Sequence, residues 1–488
     1  SGDFQATDHQ PERRGCSGGA GAPFASEKAE VTFRYALGAI FILSAPFLGC
    51  RDASSLRSDL VRTDGMRFVD EKGRTLIFHG VNVSGFAKRA PSYVSWHTEA
   101  DYDRLKAWGM NLIRHLIFWV ALEPYPGSFN DAYLEEVEER VRWAEKRGIY
   151  VLLDMHQDLY SEKYSGDGAP FWACFDDGIP FTQRFPWNLN YAEPAVIAAF
   201  DNFWTNKGLQ EHFIKTWAFV AKRFKGNKTV LGYDLYNEPF PGSIPVVEFD
   251  KTYLKEFYLK LINAIRAVDP DHIIFIEPNS FTSGGFSSSL RINGIKNIGY
   301  AVHYYHPLVH EGEPYDLNSY PLIEAANYRE KEAGEMGMPW ILDEYGVNPL
   351  TVNSTPYLND LLGIVDSHDA GWTYWSDDKG GGFSLLDDNG QERGQVDLIV
   401  RPYPQRLAGW PVNFSYKPSS QVFELEFKED GDAAGTTQIF IPVNRHYASG
   451  FTYTVSDGEV VFNEEKSLLE YRHRAGLGNH RLTVSPLP

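Results

Sequence analysis

The sequence predicts an α/β protein, a (β/α)8 TIM barrel followed by a smaller antiparallel β-sandwich. Three observations lead there. From about residue 60, short apolar runs alternate with longer segments of helical periodicity, as βα units do. Eight such runs can be marked, the number that closes a parallel sheet on itself rather than leaving it open and doubly wound. Beyond Asp397 the helical spacing stops and period-two segments take over. With 488 residues the chain exceeds one ordinary domain, so a barrel of roughly 300–350 residues plus a smaller unit is expected.

Taken in order, residues 1–55 are expected to be a leader. Its first 27 residues, rich in Gly, Ser, Ala and charge, read as disordered. Tyr35-Ala-Leu-Gly-Ala-Ile-Phe-Ile-Leu-Ser-Ala-Pro-Phe-Leu-Gly-Cys50 is an apolar run behind Lys28 and Arg34, shorter than the ~20 residues that span a bilayer, and it reads as a signal-peptide core. Phe47-Leu-Gly-Cys50 loosely resembles a lipoprotein cleavage box with its Leu one residue late. A lipid-anchored Cys50, ordinary cleavage and a buried helix therefore stay open, and the expected location is secreted or cell-surface, in a bacterium.

The barrel is expected over 56–405. Its strands are read at Thr75–Val81, Asn111–Ile117, Tyr150–Met155, Val230–Tyr236, His272–Ile276, Gly299–His303, Trp340–Asp343 and Trp372–Trp375, with helices at Asp131–Lys146, Gln210–Phe224, Asp250–Val268 and Leu322–Ala333. After the third strand, Gln157 to Leu209 reads as one long loop carrying Tyr160, Tyr164, Phe171, Trp172, Phe175, Phe181, Phe185 and Trp187, and loops of that length are usually functional. With the apolar loops 239–247 and 281–286 it is expected to form a greasy lip, unless these side chains simply pack on one another. Pro402–Pro411 reads as a connector. The sandwich is expected over 406–488, where Val422-Phe-Glu-Leu-Glu-Phe427 places Phe423, Leu425 and Phe427 on one face.

Composition narrows the function. A net charge of −19 argues against a nucleic-acid partner, whose phosphates need Lys and Arg, and against a polybasic membrane patch. The three cysteines, Cys16, Cys50 and Cys174, give neither a disulfide framework nor zinc-ligand spacing. No Gly-x-Gly-x-x-Gly follows the first strand. No metal and no cofactor is expected, and the chain is expected to be a monomer.

The chemistry is read from strand ends. Leu231-Gly-Tyr-Asp-Leu-Tyr-Asn-Glu-Pro-Phe240 runs like a buried strand and ends in Asn237-Glu238-Pro239, and Pro339-Trp-Ile-Leu-Asp-Glu344 repeats the pattern. In a barrel both glutamates arrive at the rim that binds substrate. Two carboxyl groups on one rim are what cleavage of a glycosidic bond with retention requires. Glu238 is assigned as acid/base and Glu344 as nucleophile. Arg114 is expected to hold Glu344 ionised by direct attraction, and Tyr305 to donate to that carboxylate. Asn237 suits a sugar 2-hydroxyl, His156 and Asp158 the hydroxyls of the sugar before the cleaved bond, and Trp375 its flat face. Singly, each of these is more often structural; jointly, at one end of parallel strands, they are not.

At these residues the chain resembles the cellulase-like retaining glycosidases of glycoside hydrolase family five, over about residues 60–400. The resemblance implies Arg114, His156, Asn237, Glu238, His303, Tyr305, Glu344 and Trp375 as the shared site, with His303 supporting. More narrowly, Gly80-Val-Asn-Val-Ser-Gly-Phe-Ala-Lys88, Asp154-Met-His-Gln-Asp-Leu-Tyr-Ser161, Tyr236-Asn-Glu-Pro-Phe240 and His303-Tyr-Tyr-His-Pro307 are similar to the endoglycoceramidases, which release an intact oligosaccharide from ceramide. That implies a glycosphingolipid substrate, Lys88 and Asp158 on the first sugar, and peripheral contact with membrane or lipid micelles. The competing readings are a β-glucanase or mannanase of the same family, an endoglycoceramidase restricted to galactosylceramide-rooted glycans, and an inactive glycolipid-binding surface protein.

Overall fold

In the computed structural model, which describes residues 59–83 and 85–487, eight parallel strands close into a barrel in chain order. They are β1 (His79–Val83), β2 (Leu112–Ile117), β3 (Tyr150–Met155), β4 (Val230–Asp234), β5 (Ile273–Ile276), β6 (Ile298–His303), β7 (Trp340–Tyr345) and β8 (Gly371–Tyr374). Helices cover the outside. The one over Asp131–Arg147 shows why they form where they do. The Asn130 side chain accepts from the Tyr133 amide, Gly148 stops the helix at φ 63°, and Tyr133, Leu134, Val137, Val141 and Ala144 form the buried stripe. The leader, with Cys16, Cys50 and the apolar run 35–50, lies outside the described residues. Among the described residues no helix is long and apolar enough to cross a membrane, and Cys174 is a buried free thiol.

The barrel interior is built in two layers. Leu112, Leu152, Phe275, Ala301 and Ile341 fill its lower half. Two residues further along each segment stand Arg114, Asp154, Glu277, His303 and Asp343, all buried, because inward side chains recur at period two. Gly232 has to be a glycine, since a Cβ there would lie 2.2 Å from the Ile273 carbonyl.

Three segments differ from expectation. Thr75–Leu76 is not the start of β1 but a separate strand, paired antiparallel with Phe68–Val69 and Arg406–Leu407. With Phe68, which stacks on Phe275 at 5.7 Å, it plugs the lower mouth of the barrel. Within the long loop, Pro194–Thr205 is a helix. Ala195, Val196, Ala198, Ala199, Phe200, Phe203 and Trp204 are all buried, so it is wrapped by protein on most sides, and its polar residues Asp201, Asn202 and Thr205 all fall near its C-terminal end, too few for periodicity to reveal. The supposed connector at 402–411 contains the strand Tyr403–Leu407 and begins the strand Gly409–Lys417. Pro404 and Pro411 sit at register shifts in their ladders, where a missing N–H is tolerated.

Those strands enter an antiparallel sandwich. Its larger sheet has seven strands, three of them supplied by Arg62–Leu76 and the others by Tyr403–Leu407, Thr437–Phe440, Leu468–Arg472 and Glu459–Asn463; the smaller has Gly409–Lys417, Val422–Glu429, Asn479–Pro486 and Phe451–Val455. Phe423, Leu425 and Phe427 are buried as their alternation predicts, and Phe427 meets Tyr471 of the opposite sheet edge-on at 5.9 Å.

Candidate active site

Arg114 is the centre of the upper layer. Fully buried, it lies 3.0–3.1 Å from carboxylate oxygens of Asp154, Asp234, Glu277, Asp343 and Glu344, and it donates to Asn237 Oδ1 at 2.8 Å and Asn82 Oδ1 at 3.1 Å. Only a planar, five-donor fork can meet so many acceptors at once. Asp343 and Glu344 are adjacent, and in a regular strand their side chains would point to opposite faces. Both reach Arg114 because β7 shifts register against both neighbours between Leu342 and Tyr345, a bulge that turns a second carboxylate inward.

The other glutamate is placed by a strained corner. Glu238 has φ 44°, a left-handed conformation uncommon for a residue with a Cβ. Its amide donates to Glu277 Oε2 at 2.7 Å, which holds the corner in place. Its carboxylate Oε1 accepts from Ser283 Oγ at 2.8 Å and His303 Nδ1 at 2.9 Å. Tyr305 donates to Glu344 Oε1 at 2.8 Å, as its position at the end of β6 suggested.

Glu238 and Glu344 approach each other with His303 between them, one ligating atom from each of the three lying within 4.8 Å of the others. Retaining glycosidases hold their carboxyl groups about 5–5.5 Å apart, whereas inverting ones leave 6.5–9.5 Å for a water. The gap here belongs to the retaining geometry.

Arg114 and His303 are two cations among the carboxyl groups of Asp154, Asp234, Glu238, Glu277, Asp343 and Glu344, too few to neutralise all six if every one were ionised. Protons must therefore be retained. Burial lifts Asp154 and Asp343 well above the ordinary carboxyl range against the pull of Arg114, and it lifts Glu277 to about 7. His303 goes the other way from a simple buried histidine, since burial alone would lower it but Glu277, Glu344 and Asp343 raise it well above normal and keep it cationic. For Glu238 burial acts upward, and the His303 hydrogen bond and charge overcome it, leaving a net downward shift. Glu344 sits above its ordinary value; burial outweighs the attraction of His303 and Arg114, and Glu238 adds repulsion. Arg114 touches Glu344 as anticipated, but its charge is shared among five carboxylates and does not by itself hold Glu344 ionised.

The remaining expected residues form one wall. Lys88 forms an ion pair with Asp158, lies 4.0 Å from Asp167, and stands 4.5 Å over the Trp375 ring. Burial would lower Lys88, but Asp158 and Asp167 keep it raised and charged. His156 donates through Nδ1 to Asp154 at 2.7 Å and stacks 5.5 Å from Trp375. Burial and the neighbouring Lys88 charge hold it well below its usual value, so it is neutral, with Nε2 buried and without a hydrogen-bond partner. Asn237 uses its oxygen on Arg114 and one N–H on the Gln157 carbonyl at 3.0 Å, which leaves one N–H for a ligand.

All ten predicted residues thus meet at the C-terminal end of the barrel. Missing from the prediction were Asp154 as a partner of Arg114, and Asp234, Glu277, Asp343, Asn82 and Ser283. Glu277 was findable, because Ile273-Ile-Phe-Ile-Glu277-Pro repeats the apolar-run-then-glutamate pattern of the other two. Four sets here have metal-ligand spacing, three of His with carboxylates and one of carboxylates alone. In each, a protein cation already stands among the oxygens, Lys88 between Asp158 and Asp167, Arg114 or His303 in the rest.

A barrel with paired carboxyl groups at the ends of β4 and β7, an arginine behind them and a tyrosine on one of them is the frame of a retaining glycoside hydrolase. The chain belongs to glycosyl hydrolase family 5: that family's cellulase model matches residues 69–380, and the model of its C-terminal domain matches 401–484. It is 30% identical over 455 residues to an endoglycoceramidase of Cyanea nozakii, covering 83% of this chain and 88% of that one. Among solved structures, the endo-glycoceramidase II of a Rhodococcus species in complex with ganglioside GM3 superposes with a TM-score of 0.81 at 33% identity, over 87% of this chain and all of that one. The lactosyl-enzyme intermediate of the same enzyme gives 0.79 at 34% identity, over 86% of this chain and 99% of that one.

Proposed function

We propose that this chain hydrolyses the β-glycosidic bond joining an intact oligosaccharide to ceramide in glycosphingolipids, by double displacement. The observation that carries the choice of substrate is the rim. Beside a polar sugar-binding wall of Lys88, His156, Asp158 and Trp375, the loops after β3, β5 and β6 expose Phe171, Phe185, Trp187, Phe286 and Leu308, with Phe185 79% exposed. A polysaccharide cleft needs flat rings on both sides of the broken bond, whereas aliphatic and phenyl side chains suit acyl chains. Tyr160 and Tyr164 from the same loop are buried, so part of it packs internally and part is left for an amphiphile. The named relatives act, by their names, on glycoceramides, which agrees with this reading.

In the proposed reaction Glu344 attacks the anomeric carbon while Glu238 gives its proton to the departing ceramide oxygen; a water then enters with Glu238 as base and frees the glycan. The free site protonates Glu344 more readily than Glu238, and the chemistry needs the reverse. An anomeric centre gaining positive charge against Glu344 favours that carboxylate and drives the shared proton to Glu238. Lys88 and Asp158 bind the first sugar, the free N–H of Asn237 its 2-hydroxyl, and Trp375 its face, while Arg114, His303 and Tyr305 position the two glutamates. We also read the protein as a monomer acting at the cell surface or outside the cell, touching membrane or micelle through the exposed rim; the apolar run 35–50 supports that location. Incubation with purified glycosphingolipids, with both products identified, tests the reading. Whole glycan plus free ceramide is expected. Stepwise monosaccharides, or cleavage of soluble β-glucan with glycolipid untouched, would overturn it.

A further inference from the structure

The fifth set with metal-ligand spacing lies in the sandwich, and it differs from the four in the barrel. Glu429 closes the strand Val422–Glu429, His480 belongs to the neighbouring strand Asn479–Pro486, and His473 follows Leu468–Arg472 of the opposite sheet. His480 Nε2 lies 3.7 Å and His473 Nε2 4.0 Å from the same Glu429 oxygen, Oε2. The two imidazoles face each other at 4.2 Å. No Lys or Arg among the described residues forms an ion pair with Glu429, unlike the carboxylates that Arg114 or Lys88 holds in the barrel.

The surroundings are those of a ligand set rather than a hydrogen-bonded cluster. His480 is fully buried, and its Nδ1 is held by Asp457 Oδ2 at 2.8 Å. That bond fixes the ring and turns Nε2, which is buried and has no hydrogen-bond partner, toward Glu429. A carboxylate behind an imidazole is the usual support of a metal-ligating histidine. The Gly476 amide donates to both oxygens of Glu429, at 2.8 Å to Oε2 and 3.0 Å to Oε1, and fixes the carboxylate. Phe427 packs against both rings, 5.5 Å from His473 and 5.2 Å from His480, and forms an apolar wall on one side.

We propose that Glu429, His473 and His480 bind one divalent transition-metal cation of the Zn2+ class, with Asp457 supporting His480. Two imidazoles and one carboxylate suit such borderline ions rather than Ca2+ or Mg2+. An ion at 2.0–2.2 Å from each ligand separates them by roughly 3.4 Å, so the His480 and His473 nitrogens would move toward Glu429 Oε2 by about 0.3 Å and 0.6 Å from their present 3.7 Å and 4.0 Å. The bound ion would tie together both sheets and the 473–478 turn, a structural role separate from hydrolysis.

The full chain, stripped with chelator and titrated with Co2+ as spectroscopic probe, tests this. One equivalent should develop visible d–d bands and raise the melting temperature, and Zn2+ should displace it. His473→Ala and Glu429→Gln, each checked for native circular dichroism and unchanged glycosidase turnover, should weaken Co2+ binding at least tenfold. Asp457→Asn should weaken it about 10–100-fold. Absence of bands in the unmodified protein would overturn the proposal. So would equal binding by His473→Ala and Glu429→Gln, which would place the ion elsewhere.

Discussion

The two halves of the barrel interior are made by the same strands and differ almost completely in chemistry. Below, Leu112, Leu152, Phe275 and Ile341 form an apolar plug closed by Phe68. Above, Arg114, Asp154, Glu277 and Asp343 form a network of buried charge. The plug stabilises by burial, at ~25 cal/mol per Å² of apolar surface removed from water. The network does the opposite on balance, because desolvating so many carboxyl groups costs more than one arginine returns. A barrel that needed only to fold would repeat the lower layer upward. The upper layer instead holds Glu238 and Glu344 in place, through Arg114 on Glu344, His303 on Glu238 and Glu277 on the Glu238 amide.

This division makes ordered predictions. Glu344→Gln should remove turnover on the order of 10⁴-fold or more while glycolipid affinity changes little; Glu238→Ala should lose natural-substrate cleavage, keep residual activity on activated leaving groups and recover with azide. An unchanged rate in Glu344→Gln would remove it as nucleophile. Next, Arg114→Lys, which keeps a charge but loses the fork, should lower kcat on the order of 10²–10³-fold. Its lower-layer counterpart Leu112→Ala should instead cost about 2–5 kcal/mol in denaturant unfolding and leave kcat nearly intact in the folded protein. If Leu112→Ala damages kcat as Arg114→Lys does, the two layers are not functionally distinct.

The smallest effect is in pH dependence. Glu277 is raised from 4.5 to about 7 in the fold, so the folded state holds a proton there that the unfolded chain releases. Its contribution to stability is complete below about 4.5 and is lost as pH rises through about 7. Glu277→Gln should therefore flatten the fall of melting temperature between those values by a few degrees. An identical slope in both proteins would mean that Glu277 does not carry that proton.

Legibility in the sequence followed the same division. The lower layer announces itself as apolar runs, and the eight strands follow from it. The site was visible where an apolar run ended in a glutamate, as at Glu238 and Glu344, and the same signal at Glu277 went unread. Asp343 was hidden because alternation assigns it and Glu344 to opposite faces, and only the bulge in β7 reverses that. Asp154 and Asp234 close apolar strands as single polar residues, and nothing local says that they converge on Arg114. Outside the barrel, Pro404 and Pro411 masked two strands because local sequence does not reveal a register shift that spares an N–H.

The closest test of the account is the configuration of the sugar at the moment of release. Proton NMR during the first minutes of glycosphingolipid cleavage should show the β-anomer of the reducing sugar appearing first and the α-anomer growing only by mutarotation. First appearance of the α-anomer would contradict the assignment of Glu238 and Glu344 as a closely spaced retaining pair.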